Sequence, residues 1–282
     1  MRKAISLSAA LAMLVVAGAA GAEPCHYSAP RNVDLDATNL QSLLLNLGGT
    51  DAHVQGVAGL TKIEVHGTAC ASNPQWLDDL KIDATSNGSR ATVTARTGNH
   101  DNVFGPLGLS RYAYLKVSVN VPLALAVAID SGSGDVVAGS LASLDFRSGS
   151  GDLKASAITG ALALELGSSD VEARGIGSVD LRGSGSGDVT VSDVHGDVRG
   201  DRDGSGDLNF RDVRGNVSFG SVGSGDLRLE NIGGSIQLDS IGSGDVAVDD
   251  VTGNLQIGAT GSGGVSIHGV KGTVHVPSGN DD

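Results

Sequence analysis

An acidic residue closes a glycine-serine turn at an almost constant interval through the second half of this chain. The spacing of these acids is 17 to 19 residues, and Gly264 occupies the next place in the series. A period of about 20 residues, repeated this often, is typical of a solenoid, in which each repeat is one coil stacked on the last. The turns read GSGD or a close variant, and the acids are Asp135, Asp152, Asp170, Asp188, Asp207, Asp226 and Asp245.

The apolar residues between these turns alternate with polar ones, which is the periodicity of a strand and not of a helix. Each coil holds two such runs separated by a turn, as in LRLENI followed by IQLDS from residue 227 onward. Gly permits positive φ at the corners, and Ser and Asp side chains bond nearby backbone amides there. We therefore predict an all-β, single-domain parallel β-solenoid (a β-helix) with rungs of 17 to 19 residues.

The composition agrees with a narrow aliphatic core. Hydrophobic residues make up 40% of the chain but aromatic residues only 3%, so the core is expected to consist of Val, Ile, Leu and Ala. Phe146, Phe210 and Phe219 fall on inward positions of the repeat. The formal net charge is −13, which argues against nucleic acid as a partner because that ligand requires a cationic surface.

The chain divides into three parts. Residues 1–22 have a basic start at Arg2 and Lys3, a short apolar run and a small-residue ending at Ala22, as in a secretory signal peptide. The run is shorter than the roughly 20 apolar residues that span a bilayer. We expect a secreted protein of the periplasm, cell surface or extracellular space, with no transmembrane segment after cleavage. Residues 23–130 read as irregular rungs that cap the N-terminal end, with a helical turn near Pro74–Leu77, and residues 131–282 form the regular repeat.

The chain has two cysteines, Cys25 and Cys70. In an exported protein the simplest expectation is that they form one disulfide. This bond would attach the segment that follows the signal peptide to the strand-like segment KIEVHGTAC. It is the one covalent cross-link predicted for the N-terminal cap.

Several segments together resemble a known family. The serial GSGDV units, the segment VSVNVP before the first of them and the early segment IEVHGTAC resemble the bacterial putative-adhesin family of β-solenoids, exported cell-envelope proteins related to the head GIN domain. This resemblance implies a non-catalytic β-helix with a role in adhesion, binding or envelope structure. It carries over no catalytic residue. The partner expected from it is an envelope or surface ligand, a glycan or a protein.

Stacking the coils places the seven aspartates in one column, and two interpretations explain how their repulsion is offset. Carboxylates about 5 Å apart repel by about 0.8 kcal/mol in water and about 3 kcal/mol at an effective dielectric constant near 20. In the first interpretation each carboxylate accepts hydrogen bonds from amides of its own turn. In the second, Ca²⁺ lies between rungs and stabilises a surface protein. One acid per corner supplies few of the six to eight oxygens that Ca²⁺ prefers, which favours the first and predicts no cofactor.

A second acidic column recurs at Asp193, Asp212, Asn231 and Asp250, in the pattern xDVxG. It too is interpreted as a turn whose side chains bond their own backbone, because Asn serves as well as Asp there. His195, Arg214 and Lys271 form an outward column beside it and are interpreted as a solvated face.

No enzyme motif is evident, so we predict that the protein is not an enzyme. GSGD lacks the order of a nucleophile elbow, and a strand follows it where a phosphate-binding loop needs a helix. The alternative is a β-helix carbohydrate-active enzyme, which requires a sugar-binding patch. The exposed rings predicted from the sequence are Tyr27, Trp76, Phe104, Tyr112 and Tyr114. A ligand patch is expected, if one exists, at Trp76, His100, Asp101, Phe104, Arg111 and Tyr112; otherwise these residues cover the solenoid's end.

Overall fold

The computed structural model describes residues 25–98 and 111–277. In these two ranges the chain winds into a parallel β-solenoid of about eight turns, with all 22 strands joined in one continuous sheet. The predicted fold is confirmed. None of the helical structure in these ranges is long and apolar enough to cross a membrane.

The described residues of the N-terminal section form seven strands and one 3-10 helix. They are β1 (Tyr27–Asp36), β2 (Ser42–Gly48), β3 (Asp51–Val57), β4 (Lys62–Ala71), the 3-10 helix (Pro74–Asp79), β5 (Lys81–Asn87), β6 (Arg90–Arg96) and β7 (Ala113–Pro122). The helical turn predicted near Pro74 is therefore confirmed. The 3-10 helix begins after Asn73, whose side chain accepts a hydrogen bond from the Gln75 N–H. Short polar side chains are favoured at this position because they satisfy the free amides at the start of a helix.

The repeat section begins with the strand that leads into its first turn, and most of its strands have six residues or fewer. They are β8 (Ala126–Ser131), β9 (Val136–Gly139), β10 (Ser143–Ser148), β11 (Leu153–Leu166), β12 (Val171–Gly183), β13 (Val189–Val194), β14 (Val198–Arg202), β15 (Leu208–Val213), β16 (Val217–Val222), β17 (Leu227–Ile232), β18 (Ile236–Ile241), β19 (Val246–Val251), β20 (Leu255–Ile257), β21 (Val265–Val270) and β22 (Val274–His275).

The repeat strands stack in parallel and in register on two faces. The first face runs β13, β15, β17, β19 and β21, so that Val189, Leu208, Leu227, Val246 and Val265 lie in one column. The second face runs β14, β16, β18, β20 and β22. The longer strands β11 and β12 span both faces of their rungs.

The N-terminal section departs from this parallel pattern. β4 lies between β1 and β7 and pairs antiparallel with both, while β5 pairs antiparallel with β6 through a turn at Gly88, where φ is +58°. β7 and β6 then join the solenoid in parallel on β3 and β2. Antiparallel strands therefore close the N-terminal end of the sheet, since β1 and β5 add no further parallel rung.

The core is one continuous aliphatic column. The phenylalanines Phe146, Phe210 and Phe219 are exposed by 0%, 0% and 2%, as their inward placement predicted. Cys25 and Cys70 form a disulfide, which joins the start of the described chain to β4.

The column containing Asp193, Asp212, Asn231 and Asp250 has a backbone role that the sequence analysis did not identify. All four residues adopt left-handed φ values between +55° and +60°, a conformation that Asn and Asp tolerate better than most residues. Gly175 and Gly269 also have left-handed φ values. The Asn231 amide donates to Asp212 Oδ1 at 2.6 Å, a bond between rungs instead of the expected bond to its own backbone.

Candidate functional site: the aspartate ladder and its groove

The predicted aspartate column is a ladder of hydrogen bonds between rungs. The backbone N–H of each aspartate donates to Oδ1 of the aspartate one rung earlier, and the last donor is the N–H of Gly264, which contacts Asp245. The donor-acceptor distances from Asp152 to Asp245 lie between 2.9 and 3.1 Å. The expectation that each carboxylate bonds within its own turn is therefore wrong. The repulsion between neighbouring carboxylates is offset because each one accepts an amide N–H from the next coil.

The ladder begins one rung earlier than the sequence analysis placed it. The Asp135 N–H donates to Asp51 Oδ1 at 3.1 Å, and β3 pairs with β9 in the matching register. Asp51 ends the tetrapeptide Gly48-Gly49-Thr50-Asp51, a degenerate copy of the repeated turn. This copy of the turn is the sequence feature that could have identified Asp51 as a member of the ladder. It lies 84 residues before the next acid of the ladder. The interval is long because β4 to β8 intervene.

A second ladder runs along the opposite corner and was missed. Asp197, Asn216, Ser235 and Asn254 each accept, through a side-chain oxygen, the N–H of the residue one rung later, at 2.9 to 3.1 Å. It ends at Thr273. Its residue types vary because the position requires only a short side chain with an acceptor oxygen, so no repeated letter marks it in the sequence.

Beside the aspartate ladder the first face carries a groove. Its larger part has a volume of about 520 Å³ and runs across four rungs. The lining residues are Asp207, Leu208, Asn209, Asp226, Leu227, Arg228, Asp245, Val246, Ala247, Gly264, Val265 and Ser266. A second part of about 360 Å³ continues along the ladder beside Asp152, Asp170 and Asp188. We call these two parts together the ladder groove.

The ladder groove has one acidic wall, formed by the ladder aspartates, while the side chains of Leu208, Leu227 and Val246 beside it are buried in the core. Oδ1 of Asp207, Asp226 and Asp245 accepts an amide of the next rung. No hydrogen bond or ion pair within residues 25–98 and 111–277 engages their Oδ2 atoms, which are therefore available to a ligand. The opposite wall is short at Ala247 and Ser266.

The predicted calcium ligands are these same ladder aspartates, which lie one per rung. Within the part of the chain that the structure describes, no three His, Cys, Asp or Glu side chains form a group arranged to hold a metal ion. Calcium binding along the ladder, the alternative interpretation of the aspartate column, stays untested.

The second face has a different electrostatic character. Arg182 contacts Asp145 at 2.9 Å and Asp180 at 3.2 Å, and Arg147 lies 3.4 Å from Glu165. The hydrogen bond from Arg182 to Asp145 raises the pKa of the guanidinium further above its ordinary value. These three acids are thus paired with arginines, whereas the ladder aspartates accept backbone amides.

Of the predicted ligand patch, the structure describes Trp76, Arg111 and Tyr112. The Tyr112 hydroxyl accepts the N–H of His26 at 3.0 Å, and the Tyr112 N–H donates to the Ser72 hydroxyl at 3.1 Å, so Tyr112 fastens the cap beside the disulfide. Trp76 is partly buried against the core and Arg111 is exposed. His100, Asp101 and Phe104 lie outside the described residues.

Two exposed rings nevertheless lie near Tyr112. Tyr27 is 40% exposed and Tyr114 is 37% exposed. The rings of Tyr112 and Tyr114 are 5.9 Å apart, and the Lys116 ammonium lies 5.7 Å from the centre of the Tyr114 ring. We call Tyr27, Tyr112 and Tyr114 the tyrosine patch.

The stacked rungs, the two ladders and the outer groove define a repeat protein of the parallel β-solenoid class. Residues 61–281 match the model of the Toastrack DUF4097 family. The chain therefore belongs to the Toastrack DUF4097 family, which agrees with the resemblance noted in its sequence. Comparison with curated proteins gives no match.

Three solved structures are similar in fold. A "putative adhesin" from Bacteroides fragilis NCTC 9343 is 17% identical, with 90% of this chain and 99% of that chain covered and a TM-score of 0.42. A "putative lipid binding protein" from Parabacteroides distasonis ATCC 8503 is 14% identical, with 87% and 96% covered and a TM-score of 0.48. A "putative adhesin" from Parabacteroides merdae ATCC 43184 is 13% identical, with 86% and 97% covered and a TM-score of 0.37.

Proposed function

We propose that this protein is an exported, non-enzymatic rod of the cell envelope that binds an external ligand, as an adhesin does, through the ladder groove. The observation that supports this most directly is the groove itself, which repeats the same wall and floor from rung to rung beside the aspartate ladder. Solenoid proteins commonly bind through extended surfaces of this kind, because stacking repeats presents one feature many times.

The two ladders support the proposal by making the groove a rigid surface. From the rung of Asp197 to that of Thr273, each rung is held to the next at both corners by a bond from a backbone amide to a side-chain oxygen, in addition to the strand pairing. A rigid surface loses less conformational entropy on binding than a mobile loop does. The groove therefore suits recognition of an extended ligand, such as a glycan chain or a protein segment.

The experiment that tests the groove compares two arginine substitutions in the same rung. Ala247→Arg places a long side chain on the short wall of the groove, and Gln256→Arg places the same charge on the exposed second face. Labelled protein of residues 23–282 is titrated onto cell-envelope fragments from bacteria that lack this protein. We expect saturable binding that Ala247→Arg weakens at least tenfold and Gln256→Arg leaves within about twofold. Equal binding by both variants would place the interaction outside the ladder groove. A lack of saturable binding by the wild type would contradict the proposal that the ligand is part of the cell envelope.

Export is the second part of the proposal. The signal-like residues 1–22 and the Cys25–Cys70 disulfide both favour an oxidising compartment outside the cytoplasm. Fractionation of cells that express the full chain is expected to recover a protein shortened at about Ala22, outside the cytoplasm and with no free thiol. A chain lacking residues 2–22 is expected to stay in the cytoplasm. A full-length cytoplasmic product of the complete chain would contradict export.

The tyrosine patch is a second candidate binding surface, favoured by its two exposed rings. Replacing Tyr27 and Tyr114 with alanine is expected to reduce envelope binding only if this end of the rod contacts the ligand. Tyr112 is unsuitable for this test, because its hydroxyl and backbone fasten the cap.

A further inference from the structure

One turn of the repeat contains a buried acid. Asp203 is 3% exposed, and it lies in the interior column formed by the residue four places before each ladder position. The bridge between Ser184 and Asp203 places it directly above Ser184. The other members of the column are uncharged: Leu47, Ser131, Ser148, Leu166, Ser184, Val222, Ile241 and Thr260.

The serines of this column show which hydrogen bond a polar side chain makes at this position. Ser131, Ser148 and Ser184 each donate their hydroxyl to the carbonyl three residues later, at 2.7, 2.9 and 3.4 Å. A side chain at this point therefore faces a backbone acceptor, and a hydroxyl satisfies it. A carboxylate has no proton to donate there, whereas a protonated carboxyl group does.

Asp203 has no such bond in its charged form. Neither carboxylate oxygen has a hydrogen-bond partner of normal geometry among the described residues, although the Gly204 N–H and the Ser184 hydroxyl lie near enough to favour the charged form weakly. Burying an unpartnered charge is costly, so such groups tend to become neutral. Burial raises the pKa of Asp203 from 3.8 to about 6, and the Gly204 and Ser184 groups only partly oppose that rise.

The surrounding charges do not relieve this cost. Asp207, on the same turn, is the charged group that acts on Asp203, and it disfavours a second negative charge. Asp201 and Arg202 precede it on β14 and are exposed. The neighbouring rungs contribute Ser184 and Val222 to the column, and neither is charged.

We infer that Asp203 is a proton-responsive position, which makes this rung of the solenoid more stable when the carboxyl group is protonated and destabilises it at neutral pH. Well below pH 3.8 the carboxyl is neutral in the folded and the unfolded chain, so the full stabilisation is present. As the pH rises toward 6, the unfolded chain ionises first and the stabilisation is lost. Above about pH 6 both states are charged, and no further loss occurs.

This direction is opposite to that of an ordinary paired carboxylate, whose protonation destabilises the fold. A protein with this device gains stability at one rung on entering an acidic environment and loses it on return to neutral pH. Because that rung supplies Asp207 and Leu208 to the ladder groove, the device acts at one end of the larger part of the groove.

The test compares the wild type with Asp203→Asn between pH 4 and pH 8, by thermal unfolding of the protein of residues 23–282. All other acids are shared, so the difference between the two midpoints isolates Asp203. We expect the midpoint of the wild type, relative to the variant, to fall by roughly 5 °C between pH 4 and pH 7. A difference that stays constant with pH would overturn the inference.

Two further substitutions of Asp203 keep the test valid if Asp203→Asn fails to fold. A third variant, at a different residue, serves as the matched control. Asp203→Ser and Asp203→Val introduce the residues that the same column carries one rung away, at Ser184 and Val222. Asp226→Asn removes an exposed ladder charge and is expected to give no such change between pH 4 and pH 7.

The ionisation of Asp203 can also be followed directly by NMR. The carboxyl carbon of Asp203, assigned by NMR through its loss in Asp203→Asn, is expected to titrate near pH 6. The variant Asp207→Asn is expected to move that titration to lower pH, because it removes the neighbouring negative charge. Titration of Asp203 near pH 4 in the folded protein would overturn the inference.

Discussion

The two sections of this molecule reach a closed core by different means. The repeat section, from β8 to β22, uses one short motif many times, and its strands are parallel, in register and tied by corner ladders. The N-terminal section, from β1 to β7, uses antiparallel pairing, a 3-10 helix and a disulfide. The difference follows from their positions, because an interior rung has a neighbour on each side whereas a terminal rung must protect an open edge.

This contrast also explains where the aromatic residues lie. In the repeat, the phenylalanine rings of Phe146, Phe210 and Phe219 lie inside the core. In the N-terminal section, Tyr27, Tyr112 and Tyr114 lie at the surface, where no further rung covers them. The repeat section is therefore built from one recurring pattern of contacts, whereas the cap depends on contacts that each occur once.

The largest expected effect concerns the first glycine of the repeated turn. A Cβ atom built on Gly223 would overlap the carbonyl oxygen of Gly204, because the corner stacks backbone directly on backbone. We expect Gly223→Ala to destabilise the repeat section by about 2 to 4 kcal/mol, measured by denaturant unfolding. The exposed neighbour Ser224→Ala serves as the control and is expected to change stability by less than about 0.5 kcal/mol. Equal stability of both variants would show that the corner is not tightly stacked.

The disulfide should matter only to the cap. Replacing Cys25 and Cys70 with serine removes a cross-link between residues 45 apart in sequence, with an expected loss of about 2 to 4 kcal/mol. Hydrogen exchange is the sharper measurement, because it separates the two sections. Protection is expected to fall in β1 and β4 and to stay unchanged in β15, β17 and β19. A uniform loss would mean that the two sections unfold as one unit.

The repeat was predictable from its sequence because one repeated letter is directly visible. A column of aspartates at intervals of 17 to 19 residues defines the period, and the period defines the rungs. The second ladder was not predictable in this way, since Asp197, Asn216, Ser235 and Asn254 share only an acceptor oxygen. Its function depends on geometry, and several residue types supply that geometry equally well.

The cap and the binding surface were less accessible to sequence reasoning. Asp51 belongs to the ladder, but it reaches Asp135 only because the strands between them fold back and return the chain to the same corner. The ladder groove depends on the relative heights of neighbouring side chains, such as Ala247 beside Arg228, which no motif encodes. Asp203 was detectable in principle, as the one acid in its column, once the coils were aligned at that position.

A smaller effect is expected at a single step of the ladder. Asp226→Ala removes the acceptor for the Asp245 N–H, which now contacts Asp226 Oδ1 at 2.9 Å, and should cost about 1 kcal/mol. Asp226→Asn keeps an oxygen acceptor and removes one charge from an acidic column, so its stability is expected to equal or exceed that of the wild type. Denaturant unfolding of both variants measures the difference. If alanine and asparagine proved equally destabilising, charge and not the hydrogen bond would be the important property of the ladder.

The smallest effect is expected from calcium, and it separates the two interpretations of the aspartate column. Each ladder carboxylate already accepts a backbone amide, and one acid per rung provides few of the oxygens that Ca²⁺ requires. We expect the unfolding midpoint in millimolar CaCl₂ to match that in chelator within about 1 °C, with MgCl₂ at equal ionic strength as the control. A rise specific to calcium would mean that Oδ2 atoms of neighbouring rungs share an ion, and it should then disappear in Asp226→Asn. In that case the ladder would be an ion-dependent part of the groove, and ligand binding should be measured again with and without calcium.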